Sequence, residues 1–175
     1  MDQKKLLENL NGTALDEAIN HNLKHDYWGV RELAVKAAAR TESPNRFKKN
    51  LLNMASNDDN TKVRAAAIEV LSKQEDSKSY EELFERATKE MSYAVAGSAL
   101  DALALVNTQK ALITARTLEK ESKNELLQAV MRTYATLGDH QEFSFFEQRL
   151  QTTTNYDLYI TAAYFSEYLK KQRNR

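Results

Sequence analysis

The sequence predicts an all-α protein, an α-α superhelix of about five antiparallel helix pairs. Three observations predict it. One Pro and four Gly in 175 residues leave little to punctuate strands. Apolar residues recur at helical rather than alternating spacing along the chain. A short skeleton also repeats: Val30-Arg31 with Ala34, then Val63-Arg64 with Ala67, Val70 and Leu71, then Val95, Ala99 and Leu103 without the Arg.

Each element follows in turn. Leu6, Leu7 and Leu10 mark a short extra helix over Lys4 to Leu10, within residues 1–12, and Asn11-Gly12 stops it. Thr13 starts the next, with Asp16 as an imperfect capping box and Ala14, Leu15, Ala18, Ile19 and Leu23 on one face. Asp26 is the expected cap of the first skeleton helix, which ends near Arg40. Ser43-Pro44 opens a helix carrying Phe47, Leu51, Leu52 and Ala55, because Pro at the first helical position loses no hydrogen bond. Asn57 to Asn60 form a polar turn before the second skeleton helix, Thr61 to Lys73. Ser79-Tyr80-Glu81-Glu82 reads as a full capping box ahead of Leu83, Phe84 and Ala87. Ser92 caps the third skeleton helix. Asn107 or Thr108 begins a helix with Ala111, Leu112, Ala115 and Leu118, and Ser122 to Leu137 is another, closed by Gly138. His140 to Leu150 is short and aromatic. Asn155 or Tyr156 begins the last, Tyr-rich helix.

The second helices align on Val30, Val63, Val95, Leu127 and Ile160, at spacings of 33, 32, 32 and 33. A single domain of stacked pairs follows, at approximately 13–40, 43–74, 79–105, 107–138 and 140–171. One pair cannot bury its own apolar face, so neighbours stack into a continuous core. Ala34, Ala67 and Ala99 are small enough to let helices cross closely. The stretch Asp59 to Leu71 has the form Asp-x-x-x-Val-Arg-x-x-Ala-x-x-x-Leu, which resembles HEAT and HEAT-like repeats.

Composition limits function. Lys+Arg and Asp+Glu each number 25, so no global field attracts nucleic acid or an anionic membrane. The absence of Cys excludes disulfides and thiolate metal sites. The N-terminus has no long apolar run of the kind a signal or anchor needs. The compartment is not legible in these residues.

The chemistry-bearing residues are few. His21 and His25 lie four apart, the spacing of a zinc pair, but Asn22 stands where a catalytic Glu would and no third ligand is recognisable. Two rim histidines is the preferred reading, with no metal and no catalytic residue nominated. Asp26, Arg31, Asp59 and Arg64 read either as an anion-gripping ridge or as a structural ladder between repeats. Ala96 and Gln128 interrupt the Arg series, which favours the ladder. Tyr27 and Trp28, with Tyr156, Tyr159, Tyr164 and Tyr168, are either local core or an aromatic docking surface.

His25-Asp26-Tyr27-Trp28-Gly29-Val30-Arg31, followed by Glu32 and Ala34, resembles the first repeat in the HEAT-like C-terminal region of bacterial zinc aminopeptidases related to aminopeptidase N. Ser92-Tyr93-Ala94-Val95 with Ala99-Leu100 and Ala102-Leu103 resembles a later repeat, and Gly138-Asp139 with Phe145-Phe146 fits as well. The resemblance implies a non-catalytic domain that packs on a catalytic domain and walls its peptide chamber. His-Glu-x-x-His and Gly-x-Met-Glu-Asn are absent, so no catalytic residue carries over. It implies no cofactor in this chain, with zinc only in the missing catalytic domain. The partner is then the protein's own catalytic domain, with peptide substrate along the concave face. The opening half-pair and polar tail are what a fragment predicts. The alternative is a free-standing scaffold binding another protein.

Overall fold

The computed structural model describes residues 7, 9–41, 44–120 and 122–174. Among the described residues ten α-helices follow one another: α1 Gly12–Asn22, α2 Trp28–Ala38, α3 Lys48–Asn57, α4 Thr61–Ser72, α5 Glu81–Ala87, α6 Tyr93–Val106, α7 Thr108–Leu118, α8 Asn124–Leu137, α9 Phe143–Thr152 and α10 Asn155–Arg173. No strand occurs among the described residues. Consecutive helices form five pairs, and each pair stacks on the next. The second helices (α2, α4, α6, α8, α10) touch one another along the whole array, whereas the first helices pack on second helices rather than on one another. The layer in which helices crowd is the inner, concave side of an α-α superhelix.

The caps show where local sequence sets the ends. Asn60 accepts from the Lys62 N–H at 2.9 Å to start α4, and Asn107 accepts from Lys110 N–H at 3.0 Å to start α7. Ser92 accepts from Val95 N–H to start α6. Elsewhere the expected caps are replaced. Helix α1 begins at Gly12, in the left-handed region at φ +56, with no capping bond from Asn11, and Thr13 lies inside it. Asp26 does not cap α2; the His25 Nδ1 accepts from Tyr27 N–H at 3.0 Å. The Ser79 box does not form either. Its hydroxyl donates to the Asp76 carbonyl within a 3-10 turn, Ser77–Tyr80, and α5 begins only at Glu81. Pro44 likewise opens a 3-10 turn, Pro44–Phe47, with α3 starting at Lys48. Ser43 and most of the extra Lys4–Leu10 helix lie outside the described residues, although Leu7 is buried in the core.

Ala34, Ala67 and Ala99 are fully buried where the inner helices cross. A close crossing lies at Gly97, where an added Cβ would lie 2.9 Å from the main-chain oxygen of Glu125. Backbone cannot step aside as a side-chain tip can. Gly97→Ala is therefore expected to cost about 2 kcal/mol in urea unfolding through forced separation of α6 and α8. An open helical site would instead gain about 1 kcal/mol from the same change.

Candidate functional site

The inner face carries a groove of about 650 Å³ across α4, α6 and α8. Its lining is periodic. Glu69, Asp101 and Thr133 recur at a spacing of 32, as do Ser72, Ala104 and Thr136, and Lys73, Leu105 and Leu137. A uniform superhelix places each such trio in a row across adjacent helices. Leu105 is 66% exposed, an apolar side chain presented to solvent at the groove.

Asp101 and Arg132 form an ion pair across the groove between α6 and α8. Burial pushes the Asp101 carboxyl up from its ordinary range; Arg132 works against that shift and Glu69 adds to it. Burial disfavours the Arg132 charge, but the Asp101 carboxylate and Tyr164 more than offset it. Arg132 Nη2 also donates to the Tyr164 hydroxyl at 3.2 Å. Ser72 and Thr136, both in the lining, donate to carbonyls of their own helices, which leaves their oxygens as acceptors. The Thr133 hydroxyl, buried in the lining, has no hydrogen-bond partner.

The arginines lie elsewhere, at the starts of α2 and α4. The side-chain partner of Arg31 is Asp58, not Asp26: Nε and Nη2 each donate to one carboxylate oxygen at 2.8 Å. Arg64 pairs with Glu90, not Asp59, with Nη2 donating at 2.8 Å and Nε at 3.2 Å. Asp26 and Asp59 contribute main-chain carbonyls to the same guanidinium groups. A guanidinium extends away from its own helix start, so its fork meets the turn of the following pair. Each Arg is thus tied to its own loop by carbonyls and to the next pair by a carboxylate.

The six aromatic candidates do not form one surface. Tyr27 is exposed, while Trp28 packs partly into the core beneath the Lys62 Nζ, 4.9 Å from its ring centre. Tyr168 is buried and donates to the Asp139 carbonyl, which makes it core rather than a docking residue. Tyr164 is half-buried on Arg132. Tyr156 and Tyr159 alone stand out from α10. His21 and His25 border a shallow depression with Asn20, Lys24 and Asp26. Among the described residues no three His, Asp or Glu are placed to hold a metal ion.

The sequence reading missed the groove. Its available signal is Asp101, the lone charge in an otherwise apolar or small-residue helix α6. A solvated helix face carries several charges; one charge among Ala and Leu marks a place where the packed layer opens.

Such a stack of helix pairs with an open inner face belongs to the class of all-α helical-repeat folds. Residues 15–90 match the family model of HEAT repeats, a span from α1 through α5 that is under half of the chain, and that part of the array is HEAT-like. No curated protein matches the chain. None of the described helices is long and apolar enough to cross a membrane.

Proposed function

We propose that the protein is a protein-protein interaction scaffold whose inner groove holds an extended segment of a partner. The observation that carries this reading is the groove itself. It combines an exposed Leu105, an ion pair that is only partly screened and the hydroxyls of Ser72 and Thr136 in one of its periodic rows. An extended peptide matches such rows: apolar side chains cover Leu105 and Leu137, while main-chain N–H groups meet the hydroxyl oxygens. The Asp101–Arg132 pair then supplies specificity, because an unmatched polar group there is costly.

The test is selection of binders from a library of random 12-residue peptides, followed by calorimetric titration of the best. Leu105→Asp and Arg132→Glu are each expected to weaken binding about tenfold or more. Ile113→Asp, exposed on outer helix α7, is the control and should leave it unchanged. Failure to select any binder, or binders insensitive to both groove changes, overturns the reading.

The aminopeptidase resemblance supports a more specific version in which the same face walls a peptide chamber. In that version the chain alone carries no catalysis and no zinc. It predicts no hydrolysis of an aminoacyl-anilide by the pure protein and an in-frame His-Glu-x-x-His upstream in the parent gene. Hydrolysis by the pure protein refutes this version.

A further inference from the structure

Among the described residues, helix α10 leaves open the face whose equivalent on α8 is covered. In α8, Leu126, Ala129, Val130 and Thr133 are buried. Their counterparts one repeat later, Tyr159, Ala162, Ala163 and Ser166, are all exposed. The direction of this face follows from Gly97, which abuts the α8 backbone; Ala129 and Ala162 occupy the equivalent positions in α8 and α10. Ala162 therefore points to where a following helix would lie.

The exposed face has a regular seam. Tyr156, Tyr159, Ala163, Ser166, Lys170 and Arg173 are spaced three and four apart and are all exposed. That is the a/d spacing of two helices packed side by side. Tyr156 is 74% and Tyr159 76% exposed, an unusual load of aromatic surface for one helix. Aromatics occupy one end of the seam and cations the other. The seam is self-complementary when a second copy runs antiparallel. Tyr156 then meets Arg173 of the other copy, Tyr159 meets Lys170, and Ala163 meets Ser166 at the centre. Each a position faces a d position, and the small central pair lets the backbones approach.

The fold already uses this contact between its own repeats. Lys48 lies 5.1 Å from the Tyr80 ring centre, Lys62 4.9 Å from Trp28 and Arg132 5.9 Å from Tyr164. Each cation comes from a neighbouring pair. We propose that the protein forms a two-fold symmetric dimer through antiparallel pairing of α10, held by four Tyr–cation contacts around an Ala163–Ser166 centre. The occupant is a second copy because the pattern matches itself end for end, as an isologous interface requires. The inner groove on α4, α6 and α8 is not part of this seam.

A single helix seam is small against the ~1,600 Å² of a standard interface, so dissociation on the order of 10 µM is expected. Sedimentation equilibrium from about 5 to 500 µM spans that range. The mass should rise from 20.0 kDa toward twice that value. Tyr159→Lys opposes two ammonium groups across the axis and should raise the dissociation constant about tenfold or more. Adding Lys170→Glu to it should restore pairing. The chain has no Cys, so orientation can be read separately. A mixture of Ala163→Cys and Ser166→Cys should cross-link under mild oxidation far better than either alone. A 20.0 kDa mass at every concentration overturns the proposal. So does a dimer indifferent to Tyr159→Lys, or one in which Ala163→Cys cross-links best to itself.

Discussion

Phe146→Ala is expected to lower stability by about 4 kcal/mol and to release the C-terminal pair ahead of the rest. Phe146 is fully buried at the meeting point of α8, α9 and α10. Its ring centre lies 5.3 Å from those of Phe145 and Tyr168, 5.5 Å from Phe165 and 6.5 Å from Tyr134. Truncation removes the ring's burial and leaves a cavity, which rigid aromatic neighbours close poorly. Repeats touch only their neighbours, so the loss should remain local. Hydrogen exchange is the measurement that separates local from global loss. Protection should fall across α9 and α10 while α2 and α4 keep theirs. Uniform loss along the chain would mean that the array unfolds as one cooperative unit, contrary to this expectation.

Asp58→Ala should cost about 3 kcal/mol, whereas Asp26→Ala should stay within about 0.5 kcal/mol. The Asp58 and Arg31 side chains are only 6% and 16% exposed. Removing the carboxylate strands a guanidinium at the junction of the first two pairs, and it also removes the acceptor of the Asn60 N–H at 2.9 Å. Burial by itself would raise the Asp58 carboxyl, but the Arg31 fork, the Asn60 N–H and the Arg64 charge hold it below the usual range. A carboxyl lowered in the folded state stabilises fully above its unfolded value, about 3.9. The contribution is lost as pH falls through the lower folded-state value. The gap in stability between the parent protein and Asp58→Ala should accordingly be constant near neutrality and narrow in acid. Denaturant titrations at pH 7 and pH 3 would show it; a gap that widens in acid contradicts the assigned pairing.

The ladder shows how far residue patterns reach. Val30-Arg31 and Val63-Arg64 announce that a guanidinium recurs at the start of an inner helix, and the sequence spacing places an Asp at each preceding turn. Choosing among Asp26, Asp58, Asp59 and Glu90 needs the offset between pairs, because the fork spans from its own loop to the next one. The caps divide in the same way. Ser92 and Asn107 act through bonds to N–H groups three residues on, which sequence spacing alone can specify. Ser79 fails because the Tyr80 hydroxyl and Lys48 converge on Asp76 and hold the chain in a 3-10 turn there. The tyrosines separate because helix rotation, set by packing against α8 and α9, buries Tyr168 and leaves Tyr159 in solvent.

By itself the sequence determined the all-α superhelix, its repeat period and the alanines where inner helices cross. Those depend on helical periodicity and on side-chain size, both local properties. Only the tertiary structure decided which carboxylate each Arg grips, where the inner face opens around Asp101 and Leu105, and which edge of α10 stays bare. These depend on the small rotation and offset between successive pairs, a quantity summed over many packing contacts that no single residue encodes.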